Sequence, residues 1–162
     1  MDVDGVLTDG TVLLDEQGRE SKAIAFTDIM GVSLGRRAGL QFALVSGEDG
    51  AVLGLVASKL GISDVYAGCK DKAAAVRDFA GRHGIGLSEV CFIGDDVNDI
   101  AAFEACGLSA APCTAHVTAR THADRVTQHP GGAGAVREVL DALLRERAAG
   151  QGEPPGPHDG LP

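Results

Sequence analysis

The chain opens with Met1-Asp2-Val3-Asp4-Gly5-Val6-Leu7-Thr8-Asp9-Gly10, in which two carboxylates stand one residue apart, just before a glycine-bearing turn. In an extended chain, residues i and i+2 project to the same face, so Asp2 and Asp4 would lie together at the carboxyl end of a strand. Two carboxylates this close repel each other unless a cation lies between them. Mg²⁺ is a hard cation that prefers oxygen ligands and suits a site that also holds phosphate. For this decapeptide alone, a solvated turn rich in Asp and Gly is the alternative.

Composition indicates a single globular domain. The chain has 162 residues, of which 44% are hydrophobic, 23% charged and 4% aromatic, so its core must be built mainly from aliphatic side chains. A net charge of -9 argues against nucleic acid or an anionic membrane as the main partner. Because the chain has no apolar run long enough to cross a bilayer and no signal peptide before Asp2, we expect a soluble cytoplasmic protein.

Apolar runs alternate with helical segments along the chain. This pattern predicts an α/β fold with a mostly parallel sheet and helices on both faces. Residues 11–26 predict a β-hairpin, and Asp28 is expected to cap the first helix. We expect one domain over residues 1–147 and a disordered tail over residues 148–162, which are rich in Pro and Gly. The predicted strands after the hairpin cover residues 40–46, 64–66, 89–93, 108–111 and 124–126, and the predicted helices cover residues 28–38, 49–59, 71–83, 97–106, 114–121 and 134–147.

Four polar signals fall at or just beyond the predicted carboxyl ends of strands, where α/β sheets bind ligands. The first is the Asp2/Asp4 pair, and the second is Ser46-Gly47, whose hydroxyl and amide can hold a phosphate oxygen. The third is Lys72 at a helix N-terminus, with Lys70 as its competitor. The fourth is the loop Gly94-Asp95-Asp96-Val97-Asn98-Asp99, whose carboxylates need a cation or hydrogen-bond donors. Each signal alone also fits an ordinary turn or a solvated surface.

Taken together and in this order, the four motifs resemble those of the haloacid-dehalogenase-like phosphohydrolases. The resemblance implies a Rossmann-like fold and an Mg²⁺-dependent phosphomonoesterase. It further implies that Asp2 is the nucleophile and Asp4 the general acid and base. The implied metal ligands are Asp2, the backbone carbonyl of Asp4 and Asp95, with Asp96 supporting them from nearby. Ser46, Gly47 and Lys72 are the implied phosphate-binding residues, and Asp99 is expected to orient Lys72 or the metal waters.

A closer resemblance is to the cap-less branch of this family, which acts on phosphates of eight- and nine-carbon sugar acids. It rests on the opening motif, on the hairpin, on Lys22 with Phe26 and Asp28, and on residues 131–138. Glu48 and Lys59 resemble the branch that acts on ketodeoxynononate or acylneuraminate 9-phosphate, although they also fit a surface salt bridge. We therefore expect a nine-carbon substrate. The first alternative is 3-deoxy-D-manno-octulosonate 8-phosphate.

The resemblance also implies a homotetramer, in which Arg137 and the C-terminal segment complete a neighbouring site. The chain starts at Met1-Asp2 without the apolar residues that normally form the first strand. The start is therefore expected to be misplaced, or the chain to be part of a longer protein. Asp28-Ile29-Met30-Gly31 is similar to the phosphatase-like module of some acylneuraminate cytidylyltransferases. An oligomerisation module of that kind is the alternative from another class.

Overall fold

The computed structural model describes residues 1–150 and contains seven short strands and six α-helices in that range. The strands are β1 (Leu13–Leu14), β2 (Glu20–Ser21), β3 (Ala43–Val45), β4 (Asp64–Tyr66), β5 (Cys91–Ile93), β6 (Leu108–Ala111) and β7 (Arg125–Val126). The helices are α1 (Phe26–Arg37), α2 (Ala51–Leu60), α3 (Lys72–His83), α4 (Ile100–Ala105), α5 (Val117–His122) and α6 (Ala135–Gly150). No helix within residues 1–150 combines the length and apolarity needed to span a bilayer.

The strands form an antiparallel hairpin, β1–β2, and two parallel sheets, β3–β4 and β5–β6–β7. The first two residues of the chain join the parallel sheets. The Met1 amine donates to Ala43 O (2.9 Å), Val45 N donates to Met1 O (2.9 Å), and Asp2 N donates to Ile93 O (2.8 Å). Met1 and Asp2 therefore lie between β3 and β5: Met1 pairs with β3 in the parallel manner, and Asp2 is hydrogen-bonded to β5.

An apolar cavity of about 530 Å³ lies beside Met1, lined by residues of β3, β5, α3 and α6. The Met1 amine is buried, and desolvation lowers its pKa from 8.0 to about 6.

The chain turns directly after Asp2, because the amides of Val6, Leu7 and Thr8 all donate to Val3 O. Asp2 is therefore the last residue before the turn, and Asp4 lies in the turn rather than in an extended strand.

Alternating residues of the parallel strands face two separate hydrophobic cores. Leu44, Ile93 and Ala110 face the core packed by α1, α2 and α6, whereas Val45, Phe92 and Ala111 face the core packed by α3, α4 and α5. Side chains alternate across a strand, so a sheet with both faces apolar is covered on both sides by helices. The expected α/β architecture is confirmed in this arrangement.

Several element boundaries differ from the sequence predictions. The second hairpin strand is Glu20–Ser21 rather than residues 22–26, because the chain leaves the hairpin at Lys22, whose side chain reaches Asp4 in the opening turn. The segment predicted as one helix from Val97 begins as a 3₁₀ turn, Val97–Asp99, before α4. Helix α6 continues to Gly150, whereas the sequence predicts its end at Arg147. Ala148 and Ala149 are strong helix formers. The rest of the predicted tail lies outside the described residues.

The sequence predicts that Asp28 caps α1, but the structure shows that it does not. It lies in the first turn of that helix and is fully buried. Its carboxylate accepts hydrogen bonds from Gly134 N (3.1 Å) and Arg137 N (2.8 Å), so it caps the N-terminus of α6 instead. The prediction failed because the N-terminus that needed an acceptor belongs to a helix more than a hundred residues away in sequence.

Replacing Asp28 with Ala should lower the free energy of unfolding by about 3 kcal/mol, because two buried amides lose a charged acceptor. The free energy of unfolding of Asp28→Asn should lie between those of the unchanged protein and Asp28→Ala, since the amide oxygen of Asn still accepts a hydrogen bond but carries no charge. Urea denaturation followed by circular dichroism measures the change. As a control, Asp141→Ala removes only the half-exposed ion pair with Arg137 and should cost less than about 1 kcal/mol. A cost at Asp28 no greater than this control would contradict the capping role.

Candidate active site

A cleft of about 450 Å³ opens at the carboxyl ends of the central strands. Its walls come from the opening turn, the hairpin, the segment after β3 and the loop after β5. The lining residues are Asp2, Asp4, Gly10, Thr11, Val12, Glu20, Lys22, Ser46, Gly47, Glu48, Asp95, Asp96 and Asn98. Sequence motifs far apart in the chain therefore meet here, at the edge where parallel sheets bind ligands.

Asp2 lies buried at the floor of this cleft. One carboxylate oxygen accepts from Val3 N (2.7 Å) and the other from Lys72 Nζ (2.7 Å). Burial raises the pKa of Asp2, and the ammonium of Lys72 opposes that effect. The carboxylate is held in a fixed orientation by these two donors.

Lys72 begins α3 and is only 2% exposed. Its ammonium bridges Asp2 and Asp99, with Nζ to Oδ1 of Asp99 at 2.5 Å. Burial alone would lower the pKa of Lys72, but the two carboxylates raise it above its ordinary value. Lys70, its competitor in the sequence, lies nearer the surface and donates to Gly47 O (3.0 Å).

The acidic loop contributes three carboxylates in different environments. Asp99 is fully buried, and its second oxygen accepts from the amides of Asp95 (2.8 Å) and Asp96 (3.1 Å), while Asp95 is half-buried and Asp96 is exposed. Gly94 allows this packing, because a Cβ there would lie 2.5 Å from Asp99 Cγ. Asp99 therefore orients both Lys72 and the acidic loop.

Asp2, Asp95 and Asp99 each place one carboxylate oxygen within 4.8 Å of the other two. Burial, followed by the charges of Asp2, Asp99 and Asp96, raises the pKa of Asp95 from 3.8 to about 7. Lys72 supplies one positive charge to three clustered carboxylates, so the cluster retains an excess of negative charge. A hard divalent cation with oxygen ligands fits this set of donors.

Asp4 lies beside this cluster and pairs with Lys22, for which the sequence pattern predicts no role. Lys22 Nζ lies 2.8 Å from Asp4 Oδ1 and 2.9 Å from Oδ2. Gly5 follows at φ +81°, and a side chain there would overlap the Asp95 carboxylate. In the sequence, Lys22 is marked only by its position in the predicted hairpin and by its place among the residues that resemble the cap-less branch.

The segment Ser46-Gly47-Glu48 also lines the cleft. Ser46 is buried, and its hydroxyl accepts from Glu48 N (3.1 Å). The backbone of Ser46 is fixed on both sides, because its amide donates to Tyr66 O and its carbonyl accepts from Cys69 N. The hydroxyl therefore has a defined position at the edge of the cleft.

Two residues predicted to bind substrate, Lys59 and Arg137, lie outside this chain's cleft, although the prediction for Arg137 concerned the site of a neighbouring subunit. Lys59 lies in the last turn of α2 with its ammonium 5.7 Å from the Phe26 ring centroid, so it does not line the cleft with Glu48. The intervening helix separates them, since ten residues of helix span about 15 Å. Arg137 lies on α6, where Nε contacts Asp141 Oδ1 (2.7 Å). Neither residue reaches this chain's own cleft.

An α/β domain that brings an Asp–Lys–Asp cluster, a buried serine hydroxyl and an acidic loop to one cleft has the parts of a phosphoryl-transfer hydrolase. Residues 41–140 match the family model described as haloacid dehalogenase-like hydrolase. The chain belongs to the haloacid dehalogenase-like hydrolase family.

Curated relatives and solved structures agree with this assignment. The chain is 36% identical to 3-deoxy-D-manno-octulosonate 8-phosphate phosphatase of Haemophilus influenzae, over 89% of this chain and 80% of the relative. The same enzyme of Escherichia coli K12 is also 36% identical, over 89% of this chain and 77% of the relative. A crystal structure of the Moraxella catarrhalis enzyme, in complex with magnesium ion, phosphate ion and KDO, superposes with a TM-score of 0.86 at 34% identity. That match covers 90% of this chain and 83% of the other. The family resemblance, the fold and the class of enzyme, a phosphoric monoester hydrolase, are confirmed.

The raised pKa of Asp95 has a measurable effect on stability in the presence of a chelator. An aspartate that binds its proton more tightly in the fold contributes stability below pH 3.8, and this stability is lost as the pH rises through about 7. Asp95→Asn keeps the neutral form at every pH. In EDTA, the variant should therefore melt at a higher temperature than the unchanged protein at pH 8, and the difference should shrink at pH 5. A difference independent of pH would contradict the shift.

Proposed function

We propose that this protein is an Mg²⁺-dependent phosphatase that hydrolyses 3-deoxy-D-manno-octulosonate 8-phosphate. The observation that carries the phosphatase proposal is the buried Asp2–Lys72–Asp99 cluster at the floor of a cleft that Ser46 and Asp95 also reach. The substrate is supported by the curated relatives, which are phosphatases of that sugar acid. The nine-carbon substrate expected from Glu48 and Lys59 is not supported by those relatives, and Lys59 lies away from the cleft.

Asp2 is the nucleophile in the proposed reaction. Its carboxylate attacks phosphorus, the P–O bond to the sugar breaks, and an aspartyl phosphate forms. Asp4 gives a proton to the departing sugar oxygen and later takes one from the water that hydrolyses the aspartyl phosphate. The Ser46 hydroxyl and the Lys72 ammonium hold the phosphoryl oxygens, on which charge is concentrated in the transition state.

Asp2, Asp95 and the backbone carbonyl of Asp4 would hold Mg²⁺, with Asp96 supporting them. The excess of clustered carboxylates and the raised pKa of Asp95 support this ligand set. When bound, the ion supplies the positive charge that lets an anionic phosphate approach an anionic carboxylate. The Moraxella catarrhalis structure, which contains both magnesium and phosphate, also supports it.

The direct test is phosphate release from 3-deoxy-D-manno-octulosonate 8-phosphate with Mg²⁺ present. Asp2→Asn should reduce kcat by about 10³-fold or more, because the nucleophile is lost. Asp78→Asn, which alters an exposed ion pair with Arg82 on α3, serves as the matched control and should keep the activity. EDTA should abolish turnover and added Mg²⁺ should restore it. A fully active Asp2→Asn variant would exclude the proposed nucleophile.

The same assay with ketodeoxynononate and acylneuraminate 9-phosphates decides the substrate. We expect kcat/KM to favour the octulosonate by at least about tenfold, or about 1.4 kcal/mol in transition-state stabilisation. A preference for a nine-carbon acid would restore the second candidate, which the position of Glu48 in the cleft favours. No release from any of these esters by the folded protein would instead support the oligomerisation module. The intact Asp2–Lys72–Asp99 cluster argues against that third candidate.

We also propose assembly into a homotetramer through the hairpin and the adjacent part of α1. Leu13, Leu14 and Phe26 are 71%, 65% and 78% exposed, and an isolated hairpin is marginal in water. The double substitution Leu13→Glu/Leu14→Glu should convert the assembly into monomers in size-exclusion chromatography with light scattering. Val117→Glu introduces a charge at an exposed apolar residue on α5 and should leave the assembly unchanged. A monomeric unchanged protein would contradict the proposal.

A further inference from the structure

We propose that Lys22 is a positioning residue for Asp4, whose carboxylate it holds where a proton can pass to the leaving oxygen. The inference rests on the proposed phosphatase activity and extends it to the hairpin, because Lys22 follows directly after β2. The residue enters the active site from a part of the chain that contributes no other contact to the carboxylates of Asp2 and Asp4.

Lys22 and Asp4 form a close ion pair that is largely shielded from solvent on the lysine side. The Lys22 ammonium lies within 2.9 Å of both carboxylate oxygens of Asp4. The side chain of Lys22 is only 10% exposed, whereas that of Asp4 is 32% exposed. A nearly buried lysine has given up most of its hydration, so it is held by its partner far more firmly than a surface lysine is.

Other contacts to the Asp4 carboxylate are weak. The Thr8 hydroxyl lies 3.5 Å from Asp4 Oδ1, and the same hydroxyl also accepts from Gly5 N (3.3 Å) and Gly10 N (3.2 Å). A contact at 3.5 Å is at the limit of a hydrogen bond. The position of the carboxylate therefore depends on Lys22.

The electrostatic surroundings increase that dependence. Among the cleft-lining residues described in the structure, Lys22 is the one cation, beside six acidic side chains: Asp2, Asp4, Glu20, Glu48, Asp95 and Asp96. Lys72 is engaged by Asp2 and Asp99, and Lys70 donates to Gly47 O. Without Lys22, repulsion by neighbouring carboxylates would turn Asp4 toward solvent.

Phosphate esters with different leaving groups distinguish a positioning role of Lys22 from a merely structural one. When the P–O bond to an alkyl group breaks, its electron pair passes to the sugar oxygen, which takes the proton from Asp4 as the bond from Asp2 to phosphorus forms. An alkoxide is a poor leaving group and needs that proton. The p-nitrophenolate ion leaves with its negative charge, so an aryl ester requires little help from Asp4.

The test compares kcat/KM for the alkyl and aryl esters in Lys22→Met. This ratio covers steps up to formation of the aspartyl phosphate and therefore isolates the first proton transfer. We expect kcat/KM for the sugar phosphate to fall about 100-fold, and that for p-nitrophenyl phosphate to fall less than about threefold. Lys22→Arg should recover part of the loss, since it restores a cation beside Asp4. Arg120→Met removes an exposed cation on α5, outside the cleft, and should change neither value.

Crystal structures of the unchanged protein and of Lys22→Met give a readout that does not depend on turnover. In the variant, the Asp4 carboxylate should leave the position it has beside Lys22, while the Asp2–Lys72 contact stays. An unmoved Asp4, equal losses on both esters or no loss on either would overturn the positioning role. If the unchanged protein hydrolyses neither ester, the proposed function fails, and the two structures still decide whether Lys22 holds Asp4.

Discussion

The ion cluster formed by Lys72 with Asp2 and Asp99 is the interaction on which the rest of this site depends. Its three members lie far apart in sequence, and all are buried. Removing one partner from such a buried cluster commonly costs about 3 to 5 kcal/mol, because the remaining charges stay uncompensated. The cluster thus fixes the start of α3, the opening turn and the acidic loop relative to one another, and it sets the charge to which a cation and a phosphate respond.

Close backbone contacts hold the opening turn in place around that cluster. A side chain at Gly131 would overlap Gly5 O, and Gly132 N donates to Val6 O (3.0 Å). The loop that makes these contacts leads into α6, whose first amides are held by Asp28. The C-terminal part of the domain therefore supports the geometry of the first ten residues, which explains why the family resemblance extended to residues 131–138.

The sequence allowed prediction of the features that depend on local pattern. The strand–helix alternation predicted the α/β fold, and the carboxyl ends of strands brought the acidic motifs, Ser46 and Lys72 to one cleft. Features set by distant contacts could not be predicted in this way. Asp28 was assigned to its own helix because its true partners lie on α6. Lys22 received no role because its partner is eighteen residues away across a hairpin.

Glu48 and Lys59, both predicted to bind substrate, lie apart in the structure. The two residues were grouped by resemblance, but α2 begins at Ala51 and carries Lys59 a full helix length from the cleft. A helix can bring residues together at spacings of three or four, whereas a spacing of eleven places them about three turns apart. Sequence patterns therefore identified the chemistry shared by the family better than the residues that select a substrate.

We propose two roles for the hairpin, one in assembly and one in the position of the Asp4 carboxylate. Leu13 and Leu14 are exposed to solvent, whereas Thr11, Val12, Glu20 and Lys22 line the cleft. A two-stranded hairpin of this length has little stability of its own, so contacts on its exposed side would also stabilise the position of Lys22. Because Lys22 in turn contacts Asp4, assembly and proton transfer would depend on the same short element. Because the hairpin lines the cleft, the oligomer would then contribute to catalysis by making the hairpin more rigid. This contribution would add to that of any residue that a neighbouring subunit supplies.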